Sequence, residues 1–195
     1  AFQGVIPENK IIEFIEKSLG EKIEKDHSEF YDLINNLFNQ TDFKQALNLI
    51  EEFMVDNENE NKAKGLYLEC LTLLKNFDEA QSFYESLDEE TTKNKYIESS
   101  FQKLKIIKKN NSGPPLIDLQ NKLKKNPKDI DVICELADKY FAENQIDQAF
   151  LLLLENYLKN KEKIKDKFIE FFNALGNNHE KTNEYRKKLS SIMFS

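Results

Sequence analysis

Glycine and proline are scarce in this chain of 195 residues, which contains 5 and 4 of them. Because tight turns depend on these two residue types, an all-β fold rich in hairpins is disfavoured. Long apolar runs are missing as well: the longest, residues 149–154, falls far short of the roughly 20 residues of a membrane-spanning helix. The amino end carries no basic stretch followed by an apolar one, so we expect no secretory signal and a cytoplasmic protein.

Cysteine and histidine are equally rare, with 2 residues each. Cys70 and Cys134 form no C-x-x-C pair and have no histidine nearby, so we interpret them as small buried hydrophobic residues, with a redox pair as the alternative. His27 and His179 lie at predicted helix ends and are interpreted as polar surface residues. The chain also lacks a glycine-rich phosphate loop, H-E-x-x-H, G-x-S-x-G and an EF-hand pattern. We therefore predict no catalytic, metal or cofactor site, and no enzyme.

Arginine is nearly absent, since Arg186 is the only one in a chain with a net charge of −7. Residues 1–98 carry 10 lysines against 22 acids, a net charge of −12, whereas residues 99–195 carry 18 basic residues against 13 acids, a net charge of +5. A basic half can indicate nucleic-acid binding. However, lysines interleaved with acids are typical of solvated helix faces, and base or phosphate contacts favour arginine, so we expect no nucleic-acid partner.

What the chain does contain is a repeated helical pattern. Residues 127–159 predict two helices joined by a short polar turn. A large residue followed three positions later by alanine occurs three times, and the alanines are Ala46, Ala80 and Ala149, spaced by 34 and then 69 residues. This order is similar to a tetratricopeptide unit and its 34-residue period. The pattern predicts an all-α, tetratricopeptide-like helical-repeat solenoid of antiparallel helix pairs, with an irregular middle repeat and C-terminal capping helices.

The organisation along the chain follows from its one clear loop signal, Asn-Asn-Ser-Gly-Pro-Pro at residues 110–115. We predict an N-terminal lobe over residues 21–109, a loop or hinge over 110–115, and a C-terminal lobe with capping helices over 116–195. The irregular middle repeat is predicted to begin with one long helix over residues 91–109.

Two sets of residues are candidates for partner binding. Tetratricopeptide arrays usually bind peptides in a groove lined by the first helix of each pair. In phase, the predicted groove residues are Tyr31, Asn35, Phe38, Lys62, Glu69, Asp138 and Phe141. Asn35 and Lys62 suit a clamp for a C-terminal carboxylate, but the acids Glu69 and Asp138 would repel it, so that mode is disfavoured.

The second set lies at the chain end and comprises Tyr185, Leu189, Ile192, Met193 and Phe194. As part of an apolar helix these residues could dock in the groove of a partner protein, and methionine and aromatic side chains adapt well to varied partners. Alternatively, they cap the solenoid and cover its terminal core. The sequence leaves both possibilities open.

The order of elements resembles a family of bacterial thioredoxin–tetratricopeptide co-chaperones, the YbbN or chaperedoxin family. The matching segments are residues 2–8 (FQGVIPE), 119–123 (LQNKL), 126–129 (NPKD), 135–137 (ELA), 148–154 (QAFLLLL), 174–176 (ALG) and 184–189 (EYRKKL). The first resembles the end of a thioredoxin domain, which implies that residues 1–20 are its last helix and that most of the domain is missing. The others resemble the third repeat and the C-terminal signature.

This resemblance implies a protein-interaction module of a holdase that binds unfolding clients and passes them to Hsp60 and Hsp70 chaperones. The redox site of such proteins would lie in the missing domain, so no redox role is carried over onto Cys70 or Cys134. A general tetratricopeptide scaffold for an unrelated assembly is the alternative, and a thiol enzyme using the two cysteines is a third hypothesis. The sequence does not indicate an oligomeric state.

Overall fold

A computed structural model describes residues 26–194 of the chain. Within this range the protein is all-α, without strands, as predicted. The predicted thioredoxin remnant at residues 1–20 lies outside the described residues. The elements in chain order are α1 (Ser28–Asn39), α2 (Phe43–Asp56), α3 (Asn61–Leu73), α4 (Phe77–Ser86), α5 (Glu89–Thr92), α6 (Lys95–Asn111), α7 (Leu116–Lys125), α8 (Ile130–Ala142), α9 (Ile146–Asn156), a 3-10 helix (Tyr157–Lys159), α10 (Lys161–Leu175) and α11 (Glu180–Met193).

Three helix pairs, α1–α2, α3–α4 and α8–α9, are joined by the same turn. Each turn holds one residue in the left-handed region: Thr41 at φ 58°, Lys75 at φ 63° and Asn144 at φ 59°. The amide of the next residue donates to a carbonyl five positions back, which closes the preceding helix. These bonds are Asp42 N to Leu37 O at 2.9 Å, Asn76 N to Leu71 O at 2.9 Å and Gln145 N to Tyr140 O at 2.8 Å. The turns recur at the spacing of the alanines, which confirms the predicted repeat.

The repeated alanines explain how each pair packs. Ala46, Ala80 and Ala149 are fully buried on the second helix of their pairs. The large residue three positions earlier, Phe43 in the first pair, is only partly buried and starts the helix at the bend. A small side chain at the crossing lets two helix backbones approach closely, so this position constrains the sequence more than its neighbours.

The middle of the chain differs from the predicted single helix over residues 91–109. Asp88 is the N-cap of the short helix α5, and its Oδ1 accepts from Thr91 N at 2.8 Å. Asn94 is the N-cap of α6, and its Oδ1 accepts from Tyr96 N at 3.1 Å. Asn94 lies inside the predicted helix and divides it, because its side chain accepts from an amide that a continuous helix would use internally.

Helix α6 is the centre of the array. It packs against α3, α4 and α5 on the N-terminal side and against α8 and α10 on the C-terminal side, whereas α7 packs mainly against α8. The middle repeat is therefore irregular because its two helices contact different neighbours. Asn110, at the start of the predicted hinge, is a buried residue of α6, and its carbonyl accepts from Lys139 Nζ at 3.1 Å. The lobe boundaries and the hinge at residues 110–115 stay predictions.

The largest core lies at the C-terminal end and is mainly aromatic. Phe150 stacks on Tyr185 with ring centroids 4.4 Å apart, and Phe168, Phe171 and Phe172 surround it. Helices α10 and α11 supply most of these rings and cover the end of the array, which is the capping role expected of them. Gly176, at φ 83°, follows α10 and permits the turn into α11.

Candidate protein-binding surfaces

A cleft of about 350 Å³ lies between α3, α6 and the carboxyl end of α10. We call it the central cleft. Two predicted groove residues, Lys62 and Glu69, line it from α3, together with Tyr96 of α6 and His179 at the start of α11. The cleft thus joins residues that are more than 100 positions apart in the chain.

Gly65 sets the separation of the two helices at the floor of the central cleft. A Cβ atom at this position would lie 2.9 Å from both the Cβ and the carbonyl oxygen of Tyr96. Contacts this short with backbone atoms cannot be relieved by a side-chain rotation. Glycine is therefore required here because α3 and α6 touch through their backbones.

The two groove residues in the central cleft already have partners within the chain. Glu69 forms an ion pair with Lys103 of α6, and both side chains are largely buried. Lys62 places its Nζ 3.6 Å from the ring centroid of Tyr31. The two members of the Glu69 pair are 34 positions apart, one repeat, so the repeat period was the signal that could have identified Lys103.

The α1 groove residues lie outside the central cleft. Tyr31 is buried, and its hydroxyl donates to Glu60 Oε2 at 2.9 Å. Burial and the Glu60 carboxylate together raise the pKa of this phenol. Phe38 is partly buried with its ring 5.5 Å from that of Phe43, and Asn35 is exposed. The exposed amide of Asn35 is the most accessible group of the three.

His179 caps helix α11 with its side chain. Its Nδ1 accepts from Lys181 N at 3.1 Å, which requires that nitrogen to be unprotonated. Burial of part of the ring and the positive charge of Lys103 lower the pKa of the imidazole, against the opposing effect of Glu69 and Glu180. Both effects favour the neutral ring. His179 is an exposed polar residue at a helix end, as the sequence interpretation predicted, and its capping role is the part that was missed.

The two groove residues on α8 are covered by α10. Phe141 is 2% exposed and stacks on Phe171 with centroids 4.5 Å apart. Asp138 Oδ1 lies 2.8 Å from Lys167 Nζ, and Asp131 forms an ion pair with Lys163. Only a second cleft, of about 490 Å³, remains between α8, α10 and the end of α6. The fold brings α10 onto this face, a long-range contact that repeat spacing does not reveal.

Asp138 and Lys167 form the most buried ion pair of the described residues, with side chains 5% and 12% exposed. Burial raises the pKa of Asp138, although Lys167 and the more distant Lys109 act against this effect. Burial acts to lower the pKa of Lys167, but the carboxylates of Asp138 and Glu170 raise it overall. The pair joins α8 to α10 across the second cleft.

The structure divides the five C-terminal candidates into two groups. Tyr185 and Leu189 are 1% and 7% exposed, and the Tyr185 hydroxyl donates to Asp147 Oδ1 at 2.8 Å. Ile192 packs partly buried against the same core. Met193 and Phe194 are 41% and 86% exposed. Residues 185, 189 and 192 share one helical stripe, and this spacing was the signal that separates them from the last two.

Neither cysteine has the surroundings of a reactive thiol. Cys70 and Cys134 are both free and buried. Burial raises the pKa of Cys70 to about 12 and also raises that of Cys134. Because the thiolate is the reactive form, both environments oppose the thiol chemistry of the third hypothesis.

Residues 26–194 contain neither a cluster of metal ligands nor a membrane-spanning helix. No cluster of three or more potential metal ligands occurs in this part of the chain. Nor does any helix within the same limits combine the length and apolar character needed to cross a membrane.

Comparison with known proteins places the repeat assignment in the C-terminal part. Residues 109–194 match the family model described as the tetratricopeptide repeat. One similar solved structure is the crystal structure of a domain of a Vibrio parahaemolyticus protein of unknown function. It is 26% identical, the alignment covers 83% of this chain and 96% of that one, and the TM-score is 0.39. No curated protein matches the chain significantly. Tetratricopeptide repeats are protein-interaction modules, and residues 109–194 are similar to that class.

Proposed function

We propose that the chain acts as the interaction module of a co-chaperone, binding unfolding proteins and an Hsp60-type or Hsp70-type chaperone without catalysis of its own. The tetratricopeptide match of residues 109–194 supports the general part of this proposal. The resemblance to thioredoxin–tetratricopeptide co-chaperones, carried by the segments quoted above, motivates the specific part. The observation that carries it furthest is the exposed apolar end of α11.

Met193 and Phe194 form this end, which we call the apolar tip. A phenylalanine that is 86% exposed loses the benefit of burial, which is worth about 2 kcal/mol for such a side chain. The preceding turns of α11 are anchored by Tyr185 and Leu189 in the C-terminal core. The apolar tip is thus presented from a fixed helix, and a partner would gain its burial at little cost in ordering.

This geometry changes the binding mode expected from the sequence. A whole helix cannot dock in a partner groove while Tyr185 and Leu189 remain in the core. We propose instead that only the apolar tip enters an apolar pocket of the chaperone. Aromatic anchors of this kind dominate many interfaces, where truncation of one commonly costs about 2 kcal/mol or more.

The test is binding of the purified chain to purified Hsp60-type and Hsp70-type chaperones and to a chemically unfolded reporter protein. The double variant Met193→Ser/Phe194→Ser should weaken binding to the chaperone at least about tenfold. Deletion of residues 188–195 is a poorer test because it removes the buried Leu189. Ile117→Ser is the matched control, since Ile117 is also exposed but lies on α7.

Two outcomes would contradict the proposal. Equal chaperone binding by the double variant and by Ile117→Ser would exclude the apolar tip as the anchor. If the wild-type chain bound neither chaperone nor the unfolded reporter, the result would contradict the proposed co-chaperone function. The chain would then be better described as a tetratricopeptide scaffold for another assembly.

A further inference from the structure

Six lysines lie on two segments of the C-terminal region that a hydrogen bond joins. Residues 119–128 and 157–161 contain these six lysines and no acid. Lys159 Nζ donates to Pro127 O at 2.8 Å and so joins the two segments. Leu158, beside them, is 71% exposed. We call this surface the lysine corner; its lysines, all exposed, are Lys122, Lys124, Lys125, Lys128, Lys159 and Lys161.

A surface of opposite charge lies on the N-terminal region, and it too has an exposed aliphatic side chain among its charged residues. Residues 51–60, at the end of α2 and in the loop after it, contain five acids and no lysine. Val55, in their midst, is 74% exposed. We call this surface the acidic ridge; its acids are Glu51, Glu52, Asp56, Glu58 and Glu60.

Both surfaces hold charge that their own protomer does not neutralise. Glu52 and Asp56 take part in no ion pair within the described residues, and they lie at the carboxyl end of α2, where the helix dipole disfavours anions. Lys161 is likewise unpaired and is the first residue of α10, where the dipole disfavours cations. An oppositely charged partner would neutralise the unfavourable charges at both helix ends.

We propose that the lysine corner of one copy of this protein binds the acidic ridge of a second copy. The charges are complementary, and each surface offers an exposed aliphatic side chain, Leu158 or Val55, to the contact. Helix α2 packs mainly against α1 and α3, whereas the lysine corner lies on α7 and beside α10, so the two surfaces belong to different parts of the protomer. Such a head-to-tail contact is heterologous, so it builds rings or open chains of more than two copies rather than a symmetric dimer.

A second copy suits the lysine corner better than a polyanion does. The corner contains no arginine and no aromatic ring other than Tyr157, which is buried. Arginine and exposed aromatic rings are the groups that nucleic-acid sites favour.

The experiment is sedimentation velocity of the full chain over a series of concentrations. At about 20 mM salt the wild-type chain should form species larger than the monomer as concentration rises, and at about 500 mM salt it should be monomeric, because salt screens exposed charges. A chain that stayed monomeric at low salt over the whole series would overturn the proposal.

Two charge-reversal variants sharpen the test. Lys128→Glu/Lys161→Glu disables the corner, and Glu52→Lys/Asp56→Lys disables the ridge; each should weaken self-association at least about tenfold. The changes at positions 161, 52 and 56 suit the dipoles of their own helices, so unfolding would not explain the loss. Lys44→Glu/Lys187→Glu changes the net charge by as much as the corner variant and in the same direction, at exposed positions elsewhere, and should leave association unchanged.

A mixture of the two variants separates a head-to-tail contact from general charge attraction. Each variant retains one intact surface, so an equimolar mixture should associate although neither variant does so alone. Failure of the mixture to associate would overturn the proposal. So would binding of anionic vesicles or a single-stranded oligonucleotide through the lysine corner by a chain that remains monomeric, which would assign the corner to that occupant.

Discussion

Helices α1–α4 and helices α8–α11 place their charged side chains in different environments. Acids crowd the surface of the first region and of the short helix after it, where the ion pair of Glu89 with Lys93 is 85% and 72% exposed. In the second region one ion pair is nearly buried, that of Asp138 with Lys167 between α8 and α10. The difference arises because α10 folds back over α8 and covers the side chains there.

The two regions also differ in how their cores are built. The N-terminal region has two small clusters, one around Ile34 and Ile50 and one around Leu68 and Leu104. The C-terminal region has one large cluster in which the ring of Phe150 contacts four other aromatic rings. The same repeat thus supports two small core clusters at one end of the protein and one large aromatic cluster at the other.

The largest effect that tests this contrast is the loss of the buried ion pair. Lys167→Met leaves Asp138 buried with only Lys109 nearby, at 3.7 Å, so we expect a loss of about 3 kcal/mol in the free energy of unfolding. The matched change in the exposed pair, Lys93→Met, should cost less than about 0.5 kcal/mol. Urea denaturation measures both. Equal losses would contradict the contrast, and the double variant Asp138→Leu/Lys167→Met should recover most of the stability.

The next effect concerns the junction between the two regions, where α3 meets α6. Gly65→Ala places a Cβ against the backbone of Tyr96, so we expect a loss of about 2 kcal/mol despite the better helix propensity of alanine. Gly113→Ala is the control, since its Cβ would lie 3.6 Å from the nearest atom, an ordinary contact. Thermal unfolding compares them. A neutral Gly65→Ala would mean that the helices do not touch here.

The smallest effect is a pH dependence at the start of α11. The folded-state pKa of His179 lies below its unfolded value of about 6.5, so the unfolded chain binds more protons. The stability contributed by the neutral ring is present above pH 6.5 and is lost as pH falls through the folded pKa. His179→Asp keeps an N-cap acceptor without a group that titrates near pH 6. Between pH 7 and 5, the wild type should lose more stability than the variant; equal slopes would contradict the assignment.

Some of the fold was readable from the chain because it depends on local pattern. The alanine spacing predicted the repeat, since a helix pair of fixed length needs a small residue at the same place each time. The turns were less visible, because Thr41 and Lys75 adopt a left-handed conformation that usually selects glycine or asparagine. In these turns the closing hydrogen bonds compensate for an unfavourable residue type.

The candidate site was less predictable, because exposure depends on which helices meet. All five C-terminal candidates are apolar or aromatic, yet only Met193 and Phe194 are exposed. Phe141 has the register of a groove residue but lies under α10. Short loops predict that α10 packs on its sequence neighbour α9. They do not predict that α10 also packs on α6, which is distant in the chain.

The sequence by itself determined the helical class and the 34-residue period, because both follow from residue spacing along a single helix or helix pair. Only the tertiary structure decided that Gly65 contacts Tyr96, that Asp138 pairs with Lys167 and that the apolar tip projects from a helix anchored in the core. These features depend on contacts between residues distant in the chain. Their positions are set by the packing of whole helices around α6, which local periodicity does not specify.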